Sequence, residues 1–153
     1  MRQAKLVPSG RIPHYTAAMQ TPADAIAPDN DLIRQLALDA IASLPEPYRA
    51  AAALVALRVQ DFADPDILTA LEITDPFELT GLYDGTPLTE RSLTDPPTLP
   101  DQIWLFRRPI LDEWLDRGDV SLAELVTHVF VHELAHHFGW SDEDIARIDP
   151  WWE

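Results

Sequence analysis

The stretch from residue 128 to residue 142, HVFVHELAHHFGWSD, decides how the chain is interpreted because it contains an HExxH motif. His132 and His136 are about 400° apart around an α-helix, so their imidazoles lie one turn apart on one face. Two histidines in that arrangement can bind a single zinc ion. Glu133 is rotated from His132 by about 100°, which suits a carboxylate that takes a proton from metal-held water. The motif therefore predicts metal-assisted hydrolysis.

The residues after the motif predict how this helix ends. Gly139 and Asp142 follow His136 at spacings that extend the pattern to HExxHxxGxxD. A glycine here can take the left-handed conformation that ends a helix and reverses the chain. Asp142 would then return to the histidines and bind the metal through an oxygen at roughly 2.0–2.2 Å. The alternative role for Asp142 is to stabilise the first turn of a following helix without metal. Glu143 and Asp144 are the other nearby carboxylates, but neither has the spacing of Asp142 in the pattern.

The segment HELAHHFGWSDEDI resembles the signature of a family of small bacterial zincin-like metallopeptidases. LYDGTPLTERS at residues 82–92 and LPDQIWLFRRPI at residues 99–110 resemble the same family in the same order. The likeness spans residues 32–149 and implies an α+β, minimal zincin-like fold, with a small mixed sheet packed on the HExxH helix. It also implies a zinc-dependent peptidase with one Zn²⁺ per chain, held by His132, His136 and Asp142, with Glu133 as the catalytic base.

Other polar side chains are candidates for supporting roles. His128 shares the face of His132 within about 40°, so it either orients a ligand, polarises substrate, or is an ordinary hydrogen-bonded histidine. His137 points about 100° away from His136, which favours a structural role behind the ligands. Tyr83, Arg91 and Arg107 are candidates for stabilising an oxyanion; the alternative for each is a packing or solvated residue.

The charge and residue composition of the chain limit the classes of molecule that it can bind. With 26 acidic and 11 basic residues, the chain has a formal charge of −15, which repels nucleic acids and anionic membranes. The charge also argues against the HxxxH-type endoribonucleases, which need a histidine where Asp142 stands. Cysteine is absent, so histidine and carboxylate are the only strong ligands. No apolar run reaches the ~18 residues of a membrane span, and no secretory signal is recognisable. We expect a cytoplasmic monomer or weak dimer that acts on a peptide or protein.

The chain divides into two parts. Residues 1–29 contain four prolines and little apolar periodicity, which predicts a flexible N-terminal arm in which His14 is solvated. Residues 30–153 form the predicted metallopeptidase domain. Its first elements are expected to be a helix over 32–44 capped by Asn30 or Asp31, a strand over 54–62, short helices over 65–72 and 76–81, and a short strand around Pro87 and Leu88.

The segment QIWLFR, residues 102–107, is the most strand-like run in the chain. Pro109 follows it and suggests a position at a sheet edge. In zincins an edge strand above the active-site helix receives extended substrate, so the resemblance makes Trp104, Phe106 and Arg107 candidates for that edge.

The predicted elements around the motif are helical. A helix over 110–117 ends near Gly118, and Ser121 with Glu124 forms a capping box that begins the active-site helix. A last helix begins at Ser141. Trp151 and Trp152 either seal the core or form a dimer patch, and sealing is favoured.

Three functions remain open on the sequence alone. The first is a zinc peptidase, the second a metal-binding interaction module without turnover, and the third a regulatory protease with one protein substrate. Met1 and Met19 are the only methionines, so no Met-turn lies beneath the metal. Few residues follow Asp142, which predicts a shallow site.

Overall fold

The computed structural model describes residues 2–6, 27–90, 92, 94 and 100–143. The strands are β1 (Arg2–Leu6), β2 (Ala56–Gln60), β3 (Leu79–Asp84) and β4 (Gln102–Phe106). The helices are α1 (Asn30–Ser43), α2 (Tyr48–Ala53), α3 (Pro65–Ala70), α4 (Arg107–Arg117) and α5 (Leu122–His137). Short 3-10 turns occupy Pro76–Glu78 and Leu88–Glu90.

The four strands form one mixed sheet in the order β1-β3-β4-β2. β3 runs antiparallel to both β1 and β4, whereas β2 runs parallel to β4. Gly81 in the middle of β3 lies opposite Leu105 on one side and Lys5 on the other. The result is the small mixed sheet of an α+β fold, as the sequence predicts.

The described helices and loops cover both faces of the sheet. Ile103 and Leu105 project into a core shared with α1 and α5. Leu82 and Phe106 project to the opposite face, where they pack with Ile67 of α3. The strands at the centre of the sheet are therefore buried on both sides, and α5 is held against the sheet by the larger of the two cores.

Several predicted helices and strands are confirmed, with small shifts in the residues at which they begin and end. The helix predicted over 32–44 is α1, but its cap is Asp29, whose carboxylate accepts a hydrogen bond from the Leu32 amide at 2.8 Å. The predicted strand over 54–62 is β2, and the helix predicted over 65–72 is α3. Gly118 ends α4 with a φ of 73°, the left-handed conformation expected of a helix-ending glycine.

Three predictions about the sheet and its connections are wrong. The helix predicted over 76–81 is a single 3-10 turn followed by β3, and the strand expected around Pro87 and Leu88 is not formed. β4 lies between β3 and β2, so Trp104 and Phe106 are not on an edge strand, and Arg107 begins α4. Pro109 lies in the first turn of that helix, where a missing N–H is tolerated, and so carries no information about the edge.

Parts of other predictions lie outside the described residues. Of the predicted arm, residues 2–6 lie in the sheet as β1, whereas residues 7–26, including His14, are not described. Arg91, Asp144, Trp151, Trp152 and most of the predicted last helix also lie outside. Within the described residues, no helix is long and apolar enough to cross a membrane.

Candidate metal centre

α5 is fixed at its start by its own sequence. The Ser121 hydroxyl accepts a hydrogen bond from the Glu124 amide at 3.1 Å, and the Glu124 carboxylate accepts one from the Ser121 amide at 2.9 Å. This is the predicted capping box, and it satisfies two amides that a helix start would otherwise leave unpaired. Apolar residues then anchor the helix in the core: Leu122, Leu125, Val126, Val129, Phe130 and Leu134 are all buried. The rotation of the histidine face is set by this packing.

The end of α5 returns the chain towards the histidines, as the glycine predicts. Gly139 has a φ of 85°. Its amide donates to the His136 carbonyl at 2.9 Å, and the Trp140 amide donates to the Ala135 carbonyl at 3.1 Å. These paired bonds constitute a Schellman motif. The turn brings Asp142 back over the last turn of the helix.

Asp142 meets both histidines of the motif. Its Oδ1 lies 3.0 Å from Nε2 of His132 and 3.0 Å from Nε2 of His136. Within the described residues, these three side chains are the group whose ligand atoms all lie within 4.8 Å of one another. Donors around a tetrahedral zinc ion are about 3.3 Å apart for bonds of roughly 2.0–2.2 Å. The three side chains therefore fit a metal ion with little rearrangement.

A buried nitrogen atom of His136 supports the same fit. Nε2 of His136 is buried and, although it lies close to Asp142, makes no hydrogen bond of good geometry. A buried polar atom without a hydrogen bond is destabilising, and coordination to a cation removes that penalty. The donor set of two imidazoles and one carboxylate is typical of catalytic zinc sites with an open fourth position.

The hydrogen bond behind His136 fixes which nitrogen faces the site. Nδ1 of His136 lies 2.8 Å from the carbonyl oxygen of Trp140. Since a carbonyl can only accept, Nδ1 carries the proton and donates it, which leaves the lone pair on Nε2 for a metal. Trp140 thus orients a ligand through its backbone, a role that its side chain type did not predict.

Electrostatics around the three ligands favour a positive charge. Contacts with His132 and His136 hold the pKa of Asp142 well below its usual range. Burial lowers the pKa of His136, but its contact with Asp142 and the charge of Glu133 outweigh this effect, so the net shift is upward. Both directions mean that the site stabilises a cation among these groups, as a proton or as a metal ion.

Glu133 is fully buried beside the candidate ligands, where α5 lies against β3. A β-carbon added to Gly81 of β3 would lie 3.2 Å from Cγ of Glu133 and 2.7 Å from Cγ1 of Val129. Only a residue without a side chain permits this approach. The position of the predicted base therefore depends on a glycine that the sequence did not single out.

A buried polar network lies one turn beyond Glu133. Oδ2 of Asp101 accepts a hydrogen bond from the Tyr83 hydroxyl at 2.5 Å and lies 2.7 Å from Nδ1 of His137. Gly85 gives this carboxylate room, since a β-carbon there would lie 2.5 Å from it. The network joins β3, the start of β4 and the end of α5. Asp101 was missed because its partners are distant in sequence.

The remaining candidate residues divide between the site and its surroundings. His128 is buried, and its ring centroid lies 6.3 Å from that of His132, so it is next to the ligands. His137 and Tyr83 face the Asp101 network instead. Arg107 bonds to Asp61 at 2.8 Å and to the Pro28 carbonyl at 3.1 Å.

An apolar pocket lies on another side of α5. It has a volume of about 220 Å³ and is lined by Leu44, Tyr48, Val131, Leu134, Ala135, Phe138 and Trp140. The α5 residues of this lining lie roughly 130° around the helix from the ligand face. The pocket is therefore separate from the metal ligands.

The family model described as "Zincin-like metallopeptidase" matches residues 52–152, which include the sheet strands β2, β3 and β4, all of α5 and the three ligands. No curated protein matches the chain.

Proposed function

The chain belongs to the zincin-like metallopeptidase family, and from this premise we propose that it is a zinc-dependent peptidase. His132, His136 and Asp142 would hold one Zn²⁺ per chain, and Glu133 would be the general base. The observation that carries the proposal is the convergence of Nε2 of both histidines on Oδ1 of Asp142, at 3.0 Å each, with Glu133 buried beside them.

The chemistry divides between the metal and the chain. When bound, zinc supplies Lewis acidity that polarises the scissile carbonyl and lowers the pKa of water towards ~7. Glu133 accepts a proton from the attacking water at its carboxylate as the water oxygen bonds to the carbonyl carbon. The same carboxylate then delivers that proton to the departing nitrogen as the C–N bond breaks. The Trp140 carbonyl keeps His136 in the tautomer that leaves Nε2 free of a proton.

The surroundings of the site support a peptide or protein substrate. The Asp142 side chain is 69% exposed, so one of the proposed ligands is open to solvent, as a site that accepts a segment of a larger molecule requires. The formal charge of −15 disfavours nucleic acid and anionic membranes as partners. We expect a cationic or flexible peptide segment to be accepted more readily than a folded one.

The proposal is tested by measuring zinc content and hydrolysis together. Wild type, His136→Ala, Asp142→Ala and Glu133→Gln are loaded with zinc, exchanged into metal-free buffer and analysed for bound metal. We expect about one zinc per wild-type chain, none in His136→Ala and weakened binding in Asp142→Ala. Glu133→Gln should keep its zinc but lose about 10²–10⁴-fold in hydrolysis of a peptide library.

Two outcomes would contradict the proposal. Absence of zinc from wild type would remove the metal centre. Equal hydrolysis by wild type and Glu133→Gln would remove the base. Full zinc with no turnover on any peptide favours the interaction module or the dedicated protease; capture of a protein by Glu133→Gln, followed by its cleavage with wild type, distinguishes the protease.

A further inference from the structure

The side of α5 that carries the metal ligands can be related to the strands of the sheet. β3 lies over the side defined by Val129 and Glu133, since Gly81 approaches both. His132 and His136 are centred about 60° away from that side in one direction around the helix. Leu134, which lines one pocket with Leu44 at the end of α1 and with Tyr48 of α2, lies about 120° away in the other direction. β3 therefore separates the α1–α2 side of α5 from its metal side.

The order of the strands then identifies which strand lies towards the metal. α1 packs against β2 and α5, whereas β1 packs against α5 at the other end of the sheet. Across the sheet, β2 therefore lies towards the α1 side of α5. β1, at the opposite edge, lies towards the side of His132 and His136. β1 is the strand that borders the metal ligands.

β1 also lies outside the part of the chain that the family shares. The family match begins at residue 52, so the matched part of the sheet is β3-β4-β2, with β3 at the edge. An edge strand offers unpaired N–H and C=O groups to any extended chain. In this protein residues 2–6 pair antiparallel with that edge, with Gln3 opposite Tyr83 and Lys5 opposite Gly81. Lys5 is therefore aligned with the residue that contacts Glu133.

We propose that β1 is a built-in occupant of the edge where an extended peptide substrate pairs, and that a substrate must displace it. The substrate half of this statement rests on the proposed function. The partner is an extended peptide segment, which adds to β3 mainly through backbone hydrogen bonds. Because β1 belongs to the same chain, it competes at a high effective concentration. Weakly binding peptides are excluded, and release of β1 raises binding and turnover.

The test uses two matched double variants of the full chain. Along a strand, alternate residues direct their N–H groups to opposite sides, so Gln3 and Lys5 share one side and Arg2 and Ala4 share the other. Gln3→Pro with Lys5→Pro, and Arg2→Pro with Ala4→Pro, each introduce two prolines and remove one positive charge. Only one of the two double variants removes N–H groups that face β3. The other double variant is the control, because proline whose N–H side faces solvent is tolerated at a sheet edge.

Two measurements are made on protein that also carries Glu133→Gln, each with and without added zinc. Amide hydrogen exchange of β3 should be about tenfold faster, or more, in the double variant that loses the N–H groups facing β3. In the other double variant it should stay at the wild-type rate. A labelled peptide with the sequence of residues 1–7, MRQAKLV, should bind that same double about tenfold more tightly. With Glu133 restored, kcat/KM should rise in the same double.

Several results would overturn the inference. Equal β3 exchange in both doubles and the parent would show that β1 does not protect this edge. Faster exchange without tighter peptide binding would show that the edge does not accept a peptide. Neither hydrogen exchange nor peptide binding depends on turnover. Failure of zinc binding or hydrolysis would therefore contradict the proposed function, while the proposal about β1 would still be decided by exchange and peptide binding.

Discussion

Gly81 is the residue at which the sheet sets the position of the Glu133 carboxylate, the proposed base. We predict that Gly81→Ala lowers peptide hydrolysis, because the added carbon would press on Glu133 and on Val129, its nearest neighbour at 2.7 Å. Zinc content should be unchanged, since the ligands are on another face of α5. The free energy of unfolding should fall by about 1–3 kcal/mol. Zinc analysis, peptide turnover and denaturant unfolding measure the three effects.

Gly85→Ala is the matched control for Gly81→Ala. Its added carbon would meet the Asp101 carboxylate at 2.5 Å and not Glu133, so it should lower stability similarly while disturbing turnover less. Equal losses of turnover in the two variants would mean that general overpacking, not displacement of Glu133, is responsible.

Single residues were predictable where the physics is local. His132, His136, Gly139 and Asp142 are linked by helical spacing and one turn, and the structure brings them together as the spacing predicts. Gly81 and Asp101 act on α5 from other strands. No spacing rule joins residues from separate segments, so neither was found.

At the scale of elements, the turn after α5 has a role that the turn after α4 does not share. Gly139 has a φ of 85° and Gly118 a φ of 73°, so alanine at either position is strained by roughly 1–2 kcal/mol. We predict similar losses of thermal stability for Gly139→Ala and Gly118→Ala, but a weaker zinc affinity for Gly139→Ala alone, because only that turn carries Asp142. Zinc titration against a competing chelator measures the difference; equal zinc affinity in both variants would contradict it.

The predictability of the elements follows from their exposure. α1 and α5 each have one buried and one exposed side, and in β2 Leu57 and Val59 are half-buried against the core while Arg58 is exposed. The apolar residues of these elements therefore show a period. β3 is buried along Leu79, Thr80, Gly81, Leu82 and Tyr83, on both faces, and so lacks the alternation that identifies a strand. α2 follows two prolines and has one buried residue, Ala52, which leaves too weak a pattern for a sequence-based prediction.

At the scale of the whole molecule, metal binding and stability are linked. The Asp142 turn and the α5 face meet in the folded chain, so zinc should stabilise it. At a free concentration 100 times its Kd, zinc should raise the free energy of unfolding by about 2.7 kcal/mol. His136→Ala should lose this increase, and calcium, which prefers sites made of oxygen ligands, should give little. Thermal unfolding with and without each metal provides the measurement; equal increases in wild type and His136→Ala would contradict a site at these ligands.

The arrangement of strands could not be read from the sequence because sheet order depends on contacts between segments far apart. Pro109 suggested an edge for β4, yet that strand is central. The segment predicted to lie outside the domain supplies an edge strand instead, at residues 2–6. Local patterns predicted the helix that carries the HExxH motif, but not the order of the strands that pack against it.

The contiguity of residues 121–142 has a consequence for inheritance. This segment carries the helix cap, both histidines, Glu133, the Schellman turn and Asp142 in one unbroken run. Gly81 and Asp101, which fix Glu133 and the end of α5, are encoded elsewhere. On the proposed function, a recombination event that moved the segment into another gene would carry all three proposed ligands with it, while the surroundings of the proposed base would have to arise anew in the recipient. Metal binding and turnover would then be inherited separately, and a lineage could keep the first after losing the second.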